Sequence, residues 1–343
     1  MIDKYIVPST QSVKEVISYM EKNCLKATIV ADEDRILKGL FTLGDMRHYF
    51  LNGGSLIANI TEAMNPSPIT FKSIHEAETY NKSLVIYPII DGEGKVIDVF
   101  NLQNVSEVVK GSLNNVPVVI MAGGKGTRLY PYTQILPKAL IPIGDKTIVE
   151  HIIHAFHEYG CRDFYMILKH KAGMIKSYFG EVEKNYNLHF EEEQEFLGTG
   201  GGLSYLKGKI KDTFFLSNCD ILIDADLECI YKTHKKEKNK ITFVCAMKDI
   251  VIPYGIVETD SSGQILSMKE KPEFSFLTNT GLYVLEPEVI ENLNPDEFIH
   301  LPDIAQRYLD QGENIGVFPI SEKSWMDMGQ FSEMESMKKQ LGV

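Results

Sequence analysis

A glycine-rich segment with two cationic side chains follows an apolar run. Residues 122–129 read AGGKGTRL, and residues 116–121 before them read VPVVIM. Glycine lets backbone N–H groups approach phosphate oxygens, and the lysine and arginine supply positive charge. The spacing matches neither a Walker loop nor a dinucleotide fingerprint, since valine and leucine stand at positions 119 and 129. We interpret the segment as a phosphate-binding loop; the alternative is a tight bend after a strand.

A second segment places a lysine between two prolines. Residues 136–143 read LPKALIPI, with Lys138 directly after the first proline. Because proline fixes φ, Lys138 should lie on a stiff stretch of backbone. A single lysine on a connecting loop is usually a solvated charge. A phosphate-binding role for Lys138 is therefore supported only when Lys138 is considered together with the glycine-rich segment.

Together the two segments resemble the signature of sugar-1-phosphate nucleotidylyltransferases, G-G-x-G-T-R-L followed by P-K-x-L-x-P. Further similar segments follow in the family's order. They are LGTGG at 197–201, NCD at 218–220, PYGIVE at 253–258, EKP at 270–272, NTGLY at 279–283 and WMDMG at 325–329. The resemblance spans residues 119–330 and implies an enzyme that forms an NDP-sugar and pyrophosphate from an NTP and a sugar 1-phosphate.

The resemblance also implies roles for individual residues. A sugar 1-phosphate is already anionic, so catalysis should rest on positioning and charge neutralisation rather than on a general base. The expected catalytic residues are Arg128 at the triphosphate, Lys138 at the α-phosphate, Lys271 at the sugar phosphate, and Asp220. Asp220 and Asp327 are expected to share Mg²⁺, a hard cation that prefers carboxylate and phosphate oxygens.

The remaining matches imply contacts with the two substrates. The expected nucleotide contacts are Ala122, Gly123, Gly124, Gly126, Thr127, Arg128, Glu193, Gly198 and Thr199. The expected sugar-phosphate contacts are Gly255, Glu270, Lys271 and Asn279. Taken singly, several of these residues have structural alternatives: Asp220 could cap a helix, and Glu270 and Lys271 could be an exposed ion pair.

An acidic run precedes the LGTGG segment. Residues 191–195 read EEEQE, and such a run is usually solvated. Here it abuts the expected nucleobase loop, and a carboxylate can accept hydrogen bonds from guanine N1–H and N2–H. This run and the ending WMDMGQ look most like mannose-1-phosphate guanylyltransferases, which favours GTP, with Glu193 as the expected base contact.

The N-terminal third contains a repeat with an offset of about 60 residues. Residues 12–16 (SVKEV) and 73–77 (SIHEA) each open a helix-like pattern that is followed by a strand, an acidic turn and a second strand. This predicts two βαββα units, about 1–60 and 61–112, that share one core. The sequence GLFTLGD at 39–45 resembles the CBS-domain pattern G-x-x-[ST]-x-x-D, which implies Thr42 and Asp45 as nucleotide contacts. NLQN at 101–104 departs from it, so a dimerisation module with a vestigial site is the alternative.

A CBS pair before a guanylyltransferase-like domain is similar to bacterial enzymes of the legionaminic acid pathway, which form GDP-glucosamine from glucosamine 1-phosphate. That similarity favours glucosamine 1-phosphate as the acceptor. The alternatives are mannose 1-phosphate with GTP, or glucose 1-phosphate with dTTP, UTP or CTP. Outside this class, the chain could be an inactive, nucleotide-sensing regulatory subunit.

These residues need a scaffold of strands and helices to bring them together. Residues 111–116 (GSLNNV) look like a linker. Beyond it, apolar runs at 116–121, 164–168, 213–217 and 242–247 alternate with helix-like stretches such as 148–159. The pattern predicts an α/β domain over 116–343 with a doubly wound, mostly parallel sheet, preceded by a small α+β CBS pair over 1–112.

Composition excludes several classes. The 343 residues are 44% hydrophobic and 24% charged, with a net charge of −12, which argues against broad nucleic-acid binding. No apolar run approaches the ~18 residues of a membrane span, and no signal peptide is visible. Five cysteines without a C-x-x-C spacing predict neither zinc nor disulfides. We therefore expect a cytoplasmic homo-oligomer that does not bind membranes.

Overall fold

The chain forms two compact units. The computed structural model describes residues 2–23, 25, 27–51, 53–80, 86–101 and 113–342. Contacts group Met1–Val108 with Asp249–Ser275, and Val109–Lys248 with Phe276–Val343. The division predicted from the sequence places Asp249–Ser275 in the second domain, whereas the contacts group it with the first unit.

The first unit begins with the predicted β-α-β-β-α order. Strand β1 runs parallel to β2, and β2 runs antiparallel to β3. The elements are β1 (Ile6–Pro8), α1 (Val13–Lys22), β2 (Ala27–Ala31), β3 (Leu37–Thr42) and α2 (Leu43–Leu51).

The second repeat continues this unit with α3 (Ile74–Thr79) and the antiparallel strands β4 (Ile86–Ile90) and β5 (Val96–Asn101). Ala27, Ile29 and Leu40 of the first repeat are buried in one cluster with Ile86 and Val96 of the second. The repeats therefore share a core, which each is too short to form alone. Residues 102–104, where the sequence departs from the CBS pattern, lie outside the described residues.

The other strands and helices follow in chain order. The strands are β6 (Val118–Ala122), β7 (Pro142–Ile143), β8 (Lys146–Thr147), β9 (Asp163–Leu168), β10 (Asn187–Glu192), β11 (Phe214–Asn218), β12 (Ile221–Ile223), β13 (Ile241–Val251), β14 (Ile256–Thr259), β15 (Ile265–Lys269), β16 (Glu273–Leu285), β17 (Ile315–Ser321) and β18 (Trp325–Asp327). The helices are α4 (Tyr132–Ile135), α5 (Ile148–Glu158), α6 (Ala172–Glu181), α7 (Gly198–Gly201), α8 (Leu227–Glu237), α9 (Glu288–Glu291), α10 (Leu301–Asp310) and α11 (Phe331–Leu341).

A seven-stranded sheet with the order β10-β9-β6-β11-β16-β13-β17 forms the centre of the second unit. Strands β10, β9, β6 and β11 pair in parallel, and β16 is antiparallel to β11. Along β6, Val118 and Ile120 belong to one buried cluster and Val119 to another, so both faces of the sheet are covered. The predicted fold class, a mostly parallel doubly wound sheet, is confirmed.

Helix α5 shows how local sequence determines where a helix begins and which side chains it buries against the sheet. Thr147 and Glu150 form a capping box, in which the Thr147 hydroxyl accepts from the Glu150 N–H and the Glu150 carboxylate accepts from the Thr147 N–H at 2.7 Å. Ile152, Ile153 and Phe156 follow at helical spacing and are buried against the sheet.

The described part of the predicted linker differs from an exposed connection. Leu113 and Val116 are buried in the core of the second unit, and the Leu113 N–H donates to the Tyr159 carbonyl at 3.0 Å. Burial of these two apolar side chains places the segment in the core, although the residues around them are small and polar. None of the helices in the described part of the chain combines the length and apolar character that crossing a membrane requires.

Candidate active site

Loops at the carboxyl ends of parallel strands form an open cavity of about 250 Å³. Strand β6 leads into the glycine-rich loop, β11 leads to Asp220, and Glu193 follows β10. Ligands commonly bind at this edge of parallel sheets. The lining residues are Met121, Gly123, Gly124, Gly126, Thr127, Arg128, Lys138, Glu193, Phe196, Gly198, Thr199, Asn218, Cys219 and Asp220. The cavity thus brings together most residues predicted to bind the nucleotide, although they lie between positions 123 and 199 of the sequence.

The glycine-rich loop packs closely on the segment that carries Lys138. Gly126 has a φ of +64°, and a Cβ there would lie 3.0 Å from Thr133 Cγ2 and 3.2 Å from Lys138 Cβ. The Gly126 carbonyl accepts from the Thr133 hydroxyl at 2.8 Å. Position 126 therefore requires glycine for both its backbone conformation and its packing. Ala122 is the buried end of β6 in the core, and its predicted contact with the nucleotide stays a prediction.

Lys138 and Asp220 form an ion pair in the cavity. Their side chains are only 10% and 16% exposed, so water screens the pair weakly. Lys138 follows Pro137 and lies in a short 3₁₀ turn. Asp220 does not cap a helix: helix α8 is capped by Asp226, whose side chain accepts from the Cys229 N–H.

Asp327 lies beside Asp220 because strands β12 and β18 pair. Ile221 is opposite Asp327, and the Met328 N–H donates to the Asp220 carbonyl at 2.8 Å. Burial, and then the charges of Asp220 and Glu333, raise the pKa of Asp327 to about 6, although Lys138 and Arg128 lower it. The structure therefore places close together the two carboxylates that the sequence predicts as metal ligands.

This donor set fits Mg²⁺ that is shared with a substrate. The described residues contain no group of three or more His, Cys, Asp or Glu side chains arranged to hold a metal. Mg²⁺ is usually bound through one or two carboxylates, with phosphate oxygens and water completing the octahedron. Asp327, whose pKa is raised by burial and by the charge of Asp220, gains from a bound cation that offsets this repulsion. Two adjacent carboxylates therefore fit such a cation, whereas a site built only from protein ligands would need more of them.

Glu333 is a residue of this site that the sequence reasoning missed. A Cβ on Gly329 would lie 2.9 Å from Asp327 Oδ2, 3.0 Å from Glu333 Oε2 and 3.3 Å from Arg128 Nη1. Within the described residues, the buried Glu333 Oε2 has no hydrogen-bond partner. Glu333 is in the first turn of helix α11, where a glutamate indicates only a favourable interaction with the helix dipole. The sequence therefore contains no specific sign that Glu333 belongs to the site.

Glu193 presents an unpartnered carboxyl group to the cavity. It is 4% exposed, and within the described part of the chain no group completes a hydrogen bond to either oxygen. A Cβ at Gly123 or Gly202 would come within 2.8 or 2.4 Å of these oxygens, so the glycines make room for the carboxyl group. Burial raises the pKa of Glu193 to about 7, and the positive charge of Lys169 counteracts this only in part.

The predicted nucleobase loop packs against a segment about 100 residues away. Gly198 has a φ of +82°, and a Cβ there would lie 2.6 Å from the Ile299 carbonyl oxygen. The Gly200 N–H donates to that carbonyl at 3.0 Å. The Thr199 N–H donates to His300 Nδ1 at 3.3 Å. The glycines of LGTGG thus allow close backbone contact inside the protein, a role that the sequence reasoning did not assign.

The predicted sugar-binding residues fall in both units. In the first unit, a Cβ on Gly255 would lie 2.9 Å from Glu270 Oε2, so these two residues are neighbours, and Lys271 has a φ of +44°. In the second unit, Asn279 Nδ2 donates to the Tyr283 hydroxyl at 2.9 Å. Among the described residues, the cavity lining does not include Asn279. The sugar-binding roles of these residues stay predictions.

Thr42 and Asp45 of the first unit bond to each other. Asp45 Oδ2 accepts from the Thr42 N–H at 2.9 Å and from its hydroxyl at 2.7 Å, and the Asp45 N–H donates to the hydroxyl at 3.1 Å. This is a capping arrangement at the start of helix α2. Both side chains are partly exposed, and their ligand role stays a prediction.

The cavity lies at the carboxyl edge of a mostly parallel sheet, where proteins of this fold class commonly bind their ligands. A family model described as "Nucleotidyl transferase" matches residues 117–342, and the chain belongs to that family. A CBS-domain model matches residues 1–52. The prediction of a nucleotidyltransferase-family enzyme with an N-terminal CBS domain is confirmed at the level of the family.

The relatives include enzymes with different bases and sugars. A "UTP--glucose-1-phosphate uridylyltransferase" of Synechocystis sp. is 30% identical over 62% of this chain and 59% of its own. A "Bifunctional protein GlmU" of Methanococcus maripaludis is 31% identical over 62% and 51%. A "Mannose-1-phosphate guanylyltransferase catalytic subunit beta" of Drosophila pseudoobscura pseudoobscura is 30% identical over 63% and 60%. The match spans between half and three fifths of these relatives' length.

Solved structures agree on the fold. HddC from Yersinia pseudotuberculosis has a TM-score of 0.52 and 23% identity, covering 66% of this chain and 99% of that one. A structure described as a putative glucose-1-phosphate thymidylyltransferase from Bacillus anthracis has the same TM-score and 20% identity, covering 66% and 94%.

Proposed function

We propose that this protein transfers a nucleotidyl group from an NTP to a sugar 1-phosphate, forming an NDP-sugar and releasing pyrophosphate. The observation that carries the proposal is the shielded Lys138–Asp220 ion pair in a cavity lined by the glycine-rich loop. The names of its relatives support the same class of reaction.

The chemistry needs charge neutralisation more than proton transfer. An anionic oxygen of the sugar phosphate attacks the α-phosphorus and forms a new P–O bond. The bond from the α-phosphorus to the α–β bridging oxygen breaks, and pyrophosphate leaves with its electron pair. Lys138 at the α-phosphate and Arg128 at the triphosphate would offset the repulsion between the two polyanions. Because burial raises the pKa of Cys219 to about 12, its thiol stays protonated and is not a competing nucleophile.

Asp220 and Asp327 are the residues that would hold Mg²⁺. The bound ion supplies positive charge to the phosphate oxygens of the nucleotide. Lys138, which is paired with Asp220, would then be held between the carboxylate and the phosphate chain. Loss of either aspartate should weaken nucleotide binding in the presence of Mg²⁺.

The sugar phosphate would be bound by the family's EKP and NTGLY segments. Lys271 is the proposed phosphate contact, and Glu270, Asn279 and the backbone at Gly255 are the proposed contacts of the sugar hydroxyls. Their support is the order and spacing of the family's motifs, together with the closeness of Gly255 to Glu270.

GTP is the proposed donor and glucosamine 1-phosphate the proposed acceptor. In its ionised form, the Glu193 carboxylate, with two unpartnered oxygens in the cavity, can accept both guanine N1–H and N2–H, which favours guanine over bases without that pair of donors. Support for glucosamine 1-phosphate is the resemblance to enzymes of the legionaminic acid pathway, in which a CBS pair precedes the catalytic domain. Mannose 1-phosphate is the alternative acceptor.

A panel assay tests this proposal. Pyrophosphate release is measured with Mg²⁺ for GTP, CTP, UTP, dTTP and ATP, each with glucosamine, mannose, glucose and N-acetylglucosamine 1-phosphates. Release with GTP and glucosamine 1-phosphate alone supports the full proposal. Another productive pair keeps the reaction and replaces the substrates. If no pair releases pyrophosphate, the catalytic proposal is wrong, and an inactive regulatory subunit becomes the better explanation.

A regulatory nucleotide at the CBS pair is a second proposed ligand. Its support is the CBS-domain match over residues 1–52, which contains Thr42 and Asp45. The capping bonds between these residues do not use all of the carboxylate's acceptor capacity, so a ribose hydroxyl could still donate to Asp45.

A further inference from the structure

Two exposed phenylalanines meet at the edge of the cavity. Phe196 lines the cavity and is 45% exposed, while Phe298 is 60% exposed. Their ring centroids are 6.1 Å apart with an angle of 63° between the planes. Single exposed apolar side chains are common on proteins, but an adjacent pair, one of which lines the cavity, is a feature that a ligand could cover.

The backbone on both sides of Phe196 is anchored. The Lys169 ammonium group donates to the Gln194 carbonyl, and the Gln194 N–H donates to the Tyr205 hydroxyl at 3.2 Å. On the other side, the Leu197 carbonyl accepts from the Ile299 N–H at 3.0 Å. Phe196 therefore projects from a held loop, which lowers the entropy cost of binding against it.

Phe298 is braced in the same region. Its ring packs edge-on against His300, with centroids 5.2 Å apart, and His300 accepts the Thr199 N–H of the predicted nucleobase loop. The preceding residue, Glu297, is paired with Arg307 at 2.5 Å. The ring of Phe298 can thus support the ring of Phe196 from outside the cavity.

We propose that Phe196, supported by Phe298, is a specificity-determining residue whose ring stacks on the face of the purine base of the nucleotide. The proposal rests on the proposed function and deepens it. Glu193, three residues earlier on the same loop, would contact the edge of the base, while Phe196 would cover its face. A purine offers a larger face than a pyrimidine, so this contact should favour GTP over UTP.

The test measures binding separately from turnover. Isothermal titration calorimetry with Mg²⁺ compares GTP, UTP and inorganic tripolyphosphate, which carries the phosphates without a base. For Phe196→Ala we expect GTP affinity to fall at least about fivefold. UTP affinity should fall less, and tripolyphosphate affinity should stay within about twofold. Phe196→Trp keeps an aromatic ring and should bind GTP with an affinity close to that of the wild type. Phe298→Ala should lower GTP affinity by less than Phe196→Ala does.

Leu309→Ala is the matched control, because it removes an apolar side chain of similar exposure, 49%, from helix α10. Equal losses for GTP and tripolyphosphate in Phe196→Ala, or unchanged GTP affinity, would overturn the stacking role. If wild-type protein binds GTP through Phe196 but releases no pyrophosphate, the proposed reaction fails while this inference stands. If wild-type protein does not bind GTP, the inference fails.

Discussion

Lys138 and Asp220 carry the central charge interaction of the site. In the free protein each largely neutralises the other, and both are shielded from solvent. Removing one partner leaves the other charge buried and unpaired, and also removes a contact with the nucleotide. The ion pair therefore links nucleotide binding to the chemistry at the α-phosphorus.

Lys138→Ala and Asp220→Asn should each lower turnover by about 100-fold or more, because each removes a positioned charge. The measurement is steady-state pyrophosphate release with the productive substrate pair. Lys176→Ala is the control, since it breaks an ion pair with Glu192 whose partners are 42% and 48% exposed. Turnover within a few-fold of wild type in the Lys138 or Asp220 variants would contradict the catalytic assignment.

Glu193 should lower stability at neutral and alkaline pH. The ordinary glutamate pKa is 4.5, and burial raises it to about 7 in the folded protein. Between these values the folded state holds a proton that the unfolded state has lost, so stability falls as pH rises through this window. Glu193→Gln should therefore raise the free energy of unfolding at pH 8, on the order of 1–3 kcal/mol, and change it little at pH 5.

Thermal unfolding at the two pH values measures this difference. Glu195→Gln is the control, because the Glu195 side chain is 89% exposed and should give no pH-dependent change. An equal Tm shift at pH 5 and pH 8 in Glu193→Gln would show that packing, rather than ionisation, governs the effect.

The predicted nucleobase loop depends on close backbone contact. Gly198 and Gly208 both have left-handed φ values, +82° and +72°, so an alanine is strained at either position. At Gly198 the added Cβ would also meet the Ile299 carbonyl at 2.6 Å, whereas it meets nothing within 4 Å at Gly208. Comparing an alanine at each position therefore distinguishes the effect of backbone strain from the effect of displacing the loop.

Gly198→Ala should raise the KM for the NTP by about tenfold or more, because the loop must move away from residues 297–301. Gly208→Ala should lose stability through strain alone, and less of it than Gly198→Ala, while keeping its KM near wild type. Steady-state kinetics and thermal unfolding of both variants check this. Equal KM values in the two variants would mean that contact with Ile299 does not position the loop.

At the level of elements, the sequence was informative where signals are local. The apolar runs predicted the strands β6, β9, β11 and β13 to within a few residues, and the loops after two of them carry the glycines and Asp220. The contact of Gly198 with Ile299 could not be predicted, because it joins backbones about 100 residues apart. The same holds for Glu333, which reaches Asp327 only through the packing of helix α11 near β18.

For the whole molecule, the repeat predicted a core shared by its two copies, and one buried cluster contains residues of both. That the second copy is also a CBS domain stays a prediction. The assignment of Asp249–Ser275 to the first unit had no signal, because the family's motifs run through that segment without interruption. Leu113 and Val116 show a similar limit, since two apolar residues among polar ones do not reveal whether they are buried. The expected homo-oligomer stays a prediction.

The proposed CBS ligand site can be tested on the whole 343-residue chain. Thr42 is the N-cap of α2 and Asp45 lies at the third helical position, where its side-chain oxygen accepts from the Thr42 N–H. An asparagine oxygen can accept the same bond, so Asp45→Asn should keep the cap of α2 while removing the charge that would accept a ribose hydroxyl. We expect AMP affinity, measured by isothermal titration calorimetry, to fall at least about fivefold. Asp34→Asn, in a turn of the same unit, is the control. AMP binding with equal affinity in wild type and Asp45→Asn would contradict this site.

The reaction itself is tested most directly by ³¹P NMR of a mixture of the protein, Mg²⁺, GTP and glucosamine 1-phosphate. Attack on the α-phosphorus predicts that the sugar-phosphate resonance is replaced by the two coupled resonances of an NDP-sugar, with pyrophosphate formed in equal amount. Lys138→Ala should leave the spectrum unchanged over the same time. Formation of orthophosphate and GDP would show hydrolysis of GTP and would contradict nucleotidyl transfer by this site. The same holds if the substrates stay unaltered with GTP and glucosamine 1-phosphate and with every other pair of the panel.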